Sequence, residues 1–466
     1  MSNTAAKYNL TEGPIFNKLL KLSLPIMATS LMQTAHSLTN MFWLSWLGEG
    51  YVAAAGLVGQ FLWISFSIII LFQMGAEIGV SQNMGKGDPG AAKSFAQNGF
   101  MLSMLTGGVI TALFIIFRVY MLRFFNIESE YVAFIAQKYL EIVALSIPFN
   151  FGHFVLTGVY GGFGNTKLPF YINSAALLLN IILAPILIFA LDMGISGAAL
   201  SMVIAAAFNF TLKIWAMTKY KSRPFEKYKV LVKMSWLRIR QILLWGAPIS
   251  GERIIFTLLF MIVSRLITSF GDSAVASHQV GMQIEALSFM IGSGFSSALT
   301  AFIGQNYGAQ KWGRIRATLK MSFIFMGIFG VAVTAFLFFL AEPLVSIFLT
   351  NPLSIQNAAD YLRIIALAQL LFCMEGVASG AFRGRGLTAY PSIAGICANL
   401  VRVVLCYALA ATALGLTGVW WGIAAAMTVR SVTLLVSHSI NMRKLPKEDC
   451  AIVPRRREMI ETSGKE

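Results

Sequence analysis

Several ionisable side chains stand inside long apolar runs of this sequence, where each charge needs a reason. Glu252 follows Pro248 by four residues in GAPISGERIIF, Glu285 lies in HQVGMQIEALSFM, Glu375 in LLFCMEGVASGAFRG and Arg402 in ANLVRVVLCYALA, while Arg265 falls toward the far end of the run that holds Glu252. A charge at the centre of a membrane helix costs at least about 2.5–3.5 kcal/mol. A carboxylate kept there can exchange a proton near neutral pH. With a second carboxylate and polar neighbours it can instead ligate a hard cation such as Na⁺, which makes Glu252 and Glu375 the candidate cation-coupling pair. The plainer alternative is a set of structural ion pairs, Glu252 with Arg253 or Arg265 and Glu375 with Arg402. His278, Met282 and Glu285 share one helical face by their spacings of four and three, and Gln283 lies on the same run. His278 reads first as a helix-contact histidine, and Arg402 as partner to a glutamate. The first half of the chain offers Asn40, Asn180 and Glu77, the last beside the polar turn QNMGKGD, where a structural role is expected.

These residues need elements that hold them in lipid. Of 466 residues, 57% are hydrophobic and only 12% charged, too few to coat a soluble core of this size. A helix crossing about 30 Å of hydrocarbon needs about 20 mostly apolar residues, and that ruler finds about twelve segments. They centre near Ile26, Ile68, Thr106, Val143, Leu179, Val203, Phe256, Met290, Gly327, Leu370, Cys397 and Ala424. The runs are too long and too uniformly apolar for barrel strands. The fold class is an all-α polytopic membrane protein. Four late cysteines (Cys373, Cys397, Cys406 and Cys450) make no disulfide framework.

The net charge of +16 would suggest nucleic acid in a soluble protein, but here the basic residues sit in short breaks between apolar runs. Alternate breaks carry Lys86 and Lys93, Lys167, the stretch Lys219 to Arg240, Lys311 to Lys320, Arg383 and Arg385, and Arg455 to Arg457. The other breaks carry mainly Glu49, Asp192, Asp272 and Glu342, with Arg118 and Arg123 as exceptions. The positive-inside tendency then puts both termini and the basic linker in the cytoplasm. A multi-pass protein of the plasma membrane is expected, in a bacterium the inner membrane, with no nucleic-acid partner. The linker KYKSRPFEKYKVLVKMSWLRIRQ reads first as an orientation signal, with anionic lipid headgroups as a second use.

The most informative pattern is internal. Pro25 and Pro248, Gly48 and Gly271, Gln82 and Gln305, Asn83 and Asn306, and Gly85 and Gly308 all lie 223 residues apart. Gly162 and Gly384, Gly164 and Gly386, Thr166 and Thr388, and Pro169 and Pro391 lie 222 apart. The chain is two homologous halves of about six helices each, entering and leaving on the same side, the parallel-repeat build of rocking transporters. Residues 1–14 form a tail, 15–219 the first bundle, 220–238 the linker, 239–442 the second bundle and 443–466 a second tail. Four scattered histidines (His36, His153, His278 and His438) have no metal-ligand spacing, and no Walker A sequence occurs, so an enzyme or a nucleotide-driven pump is not expected. No cofactor is called for beyond a coupling ion, H⁺ or Na⁺. A closed two-bundle unit can work as a monomer.

The segments LTEGPIFNKLLKLSLPI, VSQNMGKGD, GGFGNTKLPFYINSAALLLNIILAPILIF followed by GISGAA, AVASHQVGMQIEALSFM, IGQNYGAQ and GAFRGRG, in this order from about Leu10 to about Arg443, resemble the multidrug and toxic compound extrusion (MATE) family. The resemblance implies two six-helix lobes forming a V-shaped cleft. It also implies export of organic cations and drugs by antiport with H⁺ or Na⁺ through alternating access. Glu252 then matches the family's seventh-helix glutamate, Glu375 its tenth-helix carboxylate and Asn180 the fifth-helix asparagine of the N-lobe. Two positions depart from the pattern. Asn40 stands where many members carry a first-helix aspartate, and Ala184 replaces the aspartate before the proline of the fifth helix. An amide cannot titrate, so coupling is expected mainly through the C-lobe. A lipid-linked precursor or polysaccharide flippase of the same architecture is the alternative, and it would line its cleft with several Arg and Lys.

Overall fold

The computed structural model describes residues 8–123, 129–220 and 223–446. Cys450 and the basic cluster Arg455 to Arg457 lie outside the described residues. The first lobe consists of α1 (Ile15–Ser45), α2 (Glu49–Gly85), α3 (Pro89–Arg123), α4 (Glu130–Ala144), α5 (Ile147–Phe163), α6 (Lys167–Pro185) with a π-helical turn (Ile186–Ala190), and α7 (Gly194–Thr218). The second consists of α8 (Trp236–Thr268), α9 (Asp272–Gly308), α10 (Trp312–Phe339), the short α11 (Ala341–Ser346), α12 (Pro352–Gly384), α13 (Ala389–Ala410) and α14 (Gly415–Arg443).

Ten of these helices are long and apolar enough to cross a membrane, and α4 with α5, bent by 46°, passes the same test as one broken span. The 31-residue α1 is not among these candidate spans; its Gln33, His36 and Asn40 line a cavity. Chain chemistry sets the ends. Asn351 accepts from the backbone of Leu353 and Ser354 ahead of α12, the cap that satisfies orphan N–H groups. Gly164 and Gly386, equivalent in the repeat, follow α5 and α12 with φ of 99° and 80°, a left-handed turn that favours glycine.

Each lobe packs around one long helix pair, α2 on α5 in the first and α9 on α12 in the second. Between lobes, α2 meets α8 and α9, and α1 meets α9. Membrane helices gain nothing hydrophobic from leaving lipid, so they associate by close approach at small residues. A Cβ on Gly246 would come within 2.0 Å of the Leu71 carbonyl oxygen, and one on Gly75 within 2.6 Å of that of Ile242. A further core at the basic end joins Leu10, Leu19 and Leu22 to Phe295, Phe302 and Trp312. These tight approaches sit in the half nearest the basic loops, and the lobes form a V with its apex there.

Candidate functional site

Glu252 on α8, Glu375 on α12 and Arg430 on α14 meet inside the second lobe. Arg430 Nε donates to Glu375 Oε1 at 2.8 Å, and its Nη2 lies 3.0 Å from Glu252 Oε1. Ser431 Oγ donates to Glu375 Oε2 at 3.3 Å. The carboxylates are 6% and 3% exposed, so their charges interact through protein rather than water. A fork-shaped guanidinium can hold two carboxylates at once. Gly395 on α13 leaves room for this, because a Cβ there would stand 2.2 Å from Glu252 Oε1. Arg253, Arg383 and, from the first lobe, Glu77 lie within electrostatic reach of this cluster.

The ion pairs weighed as the plainer alternative differ in partner from those formed. Arg402 lies over the Phe256 ring at 4.9 Å and within electrostatic reach of Glu285, and among the described residues the ion pairs of Glu252 and Glu375 run to Arg430 rather than to Arg253, Arg265 or Arg402. The reason is geometric: α14 packs on α12, and its Arg430 side chain spans from there to α8. No group of three or more His, Cys, Asp or Glu placed to hold a metal occurs among the described residues.

Glu285 forms a second acidic point. Tyr361 OH donates to its Oε2 at 2.6 Å and Gln369 Nε2 approaches its Oε1 at 3.5 Å. His278 is buried and stacks on Trp420 at 5.4 Å, edge-on to Tyr361. Gln283, one residue along from Met282, is exposed on its helix rather than gathered into this group.

The first lobe holds a cavity of about 570 Å³. It runs inward from Leu44 and Val52 toward His153, Asn173 and Asn209, with Asn40, His36, Gln33 and Gln60 on its walls and Trp63, Phe66 and Phe154 among its rings. No carboxylate, Arg or Lys is among the described residues that line it. Asn180 is fully buried beside it and donates from Nδ2 to Ser201 Oγ at 3.2 Å. Behind the inner wall stands Lys213, 0% exposed. Its Nζ donates to Thr157 Oγ1 at 2.7 Å and to Asn173 Oδ1 at 2.8 Å, with His153 Nδ1 and the His153 carbonyl each at 3.4 Å.

Arg430 and Lys213 were not among the candidates read from the sequence. Arg430 had a signal, since AAAMTVRSVTLLV is an apolar run with one charge near its centre. Lys213 had a weak one, because it stands six residues before Lys219 and merges with the basic break that follows.

Two helical lobes related by duplication and joined at one end, the first of them holding a cavity lined by rings and amides, define a protein of transporter build. The MatE family model matches residues 25–186 and 248–408, one stretch in each lobe. The chain belongs to the MatE family, the multidrug and toxic compound extrusion transporters. It is 28% identical over 429 residues, 91% of this chain and 92% of the relative, to a probable multidrug resistance protein NorM of Thermotoga maritima. It is 24% identical over 430 residues, 89% and 92% of the two chains, to the multidrug export protein MepA of Staphylococcus aureus. The fold matches a crystal structure of MATE in complex with MaD3S with a TM-score of 0.89 at 21% identity, over 96% of this chain and 100% of the other.

Proposed function

We propose that the chain is a secondary active multidrug exporter, an antiporter of amphipathic organic cations against H⁺ or Na⁺ working by alternating access. Coupling runs mainly through Glu252 and Glu375. The observation that carries this reading is the sharing of one Arg430 guanidinium by two buried carboxylates. Arg430 then stands in for the coupling ion: a proton arriving on Glu375 removes its charge, frees the Arg430 Nε contact and lets α14 shift against α12. This chemistry favours H⁺ as the coupling ion. Glu285, held by Tyr361, is a secondary acidic point on the same lobe.

The basic loops mark the cytoplasmic face by the positive-inside tendency. The closed end of the V then faces the cytoplasm, the cavity faces outward, and both termini are cytoplasmic in a plasma-membrane protein. Trp63, Phe66 and Phe154 offer ring faces to flat cations. The names of the relatives from Thermotoga maritima and Staphylococcus aureus support drug export. An anionic lipid-precursor flippase is less favoured, because no Arg or Lys is among the described residues that line the cavity. The protein is read as a monomer with lipid around it and no cofactor. Purified protein in proteoliposomes tests the function: ethidium accumulation driven by an imposed H⁺ or Na⁺ gradient is the expected result, and accumulation indifferent to both gradients overturns it.

A further inference from the structure

The structure assigns a second proton site to the first lobe, centred on Lys213 and His153 behind the inner wall of its cavity. Lys213 is fully buried in a membrane helix, yet the ion pairs among the described residues give it no carboxylate. A lysine kept for packing would snorkel to the interface or pair with an acid. Here the amine has neutral partners only: Thr157 and Asn173 oxygens and His153. Thr157 Oγ1 itself donates to the His153 carbonyl at 2.8 Å, which turns its lone pairs toward Lys213. Such a shell holds the ammonium by hydrogen bonds without neutralising it, and the amine can still donate within it.

A path to water is present. His153 Nε2 lies 3.1 Å from Asn150 Oδ1. Assigning the ring hydrogen to Nε2 leaves the Nδ1 lone pair toward Lys213. His153, Asn150 and Asn173 all line the cavity. On the same wall the buried Asn209 Oδ1 has no partner, although its Nδ2 donates to Asn173 Oδ1 at 3.1 Å. The groups facing Lys213 from the elements packed on α7 leave it the ionisable centre. α5 brings His153, and α4 brings Tyr139, whose OH donates to Met202 Sδ, together with Lys138 and with Glu141, which pairs with Arg118. α6 has Lys167 and Tyr171 at its start, the π-helical turn has no ionisable residue, and α1 brings His36 on the cavity wall.

The site takes H⁺ alone, since an amine in a shell of amides and hydroxyls offers Na⁺ no anionic ligand. It rests on the cation-antiport reading above. An organic cation entering the cavity meets the ammonium as a like charge a few residues away. Its binding is linked to loss of one proton from Lys213 to the water of the cavity through His153, and its departure allows the amine to take a proton again. This supplies the titrating group that Asn40 and Ala184 cannot.

The test measures ethidium binding by fluorescence and proton release by a pH dye in one weakly buffered sample of the full-length protein. Wild type is expected to release about one proton more per bound ethidium than Lys213→Met, which mimics the amine and keeps its affinity nearly constant as the pH moves from about 6 to about 8. Lys213→Arg, which cannot deprotonate, is expected to bind ethidium at least about tenfold more weakly. These opposite responses from two folded variants separate proton exchange from loss of structure. Equal proton release by wild type and Lys213→Met, with ethidium bound by both, overturns the second site and leaves the antiport reading standing. Failure of the wild type to bind any of a panel of fluorescent cations overturns both.

Discussion

Gln82 and Gln305, the same residue of the repeat 223 positions apart, each donate to the backbone of the opposite lobe. Gln82 Nε2 reaches the Gly384 carbonyl at 3.0 Å, and Gln305 Nε2 reaches that of Gly162 at 2.9 Å. The acceptors are repeat equivalents too, so the closed end is a crossed, nearly two-fold latch. Leu10 N donates to Gln305 Oε1 at 2.9 Å and adds the N-terminal segment to it. A buried hydrogen bond is worth about 0.5–1.5 kcal/mol. Replacing both glutamines by alanine is therefore expected to shift the closed-to-open equilibrium by about 1–3 kcal/mol, or about 5- to 150-fold. Hydrogen exchange should show the amides at the latch ends of α2 and α9 losing protection; unchanged protection would remove the latch from the account.

The same crossing depends on glycine. A Cβ on Gly85 would stand 1.8 Å from the Gln305 carbonyl oxygen, and one on Gly308 1.9 Å from that of Gln82. Gly308→Ala is expected to force these backbones apart and cut transport more than about tenfold, since close helix approach tolerates only small residues. Gly327→Ala, with nothing within 4 Å of the new Cβ, should transport like wild type. Equal initial rates for the two variants would contradict this.

Arg430 should matter more to folding than either of its partners. Arg430→Met strands two buried carboxylates and is expected to destabilise by about 3–5 kcal/mol. Glu375→Gln leaves Arg430 its contact with Glu252 and should have a smaller effect. Thermal unfolding in detergent ranks the variants, and a milder effect from Arg430→Met would refute the shared pairing.

Gly395→Ala removes no charge yet should resemble a coupling defect. Its Cβ would occupy the place of the Glu252 carboxylate, 2.2 Å away, and so turn that group off Arg430. Ethidium binding should persist while gradient-driven accumulation falls; normal accumulation would show that the position of Glu252 is not critical.

Much of this architecture could be read from residue order. Pro25 with Pro248 and Gly162 with Gly384 revealed the duplication because helix kinks and close approaches constrain residue type along the chain. Glu252 and Glu375 could be singled out because an acid is rare in lipid. Their partner could not be chosen, because which face of α14 meets α8 and α12 depends on helix rotation and tilt, and Arg402 was as plausible by position as Arg430. The cavity and Lys213 were hidden for a related reason. Asn150, Asn173 and Asn209 are ordinary amides until three helices bring them onto one wall.

Ethidium accumulation in proteoliposomes under an imposed H⁺ gradient, comparing wild type with Glu252→Gln and Glu375→Gln at equal reconstituted amounts, tests coupling through these two carboxylates. Wild type is expected to accumulate ethidium and both variants to lose accumulation, with Asn40→Ala still transporting. Accumulation at the wild-type level in both glutamine variants would contradict coupling through the carboxylates that share Arg430.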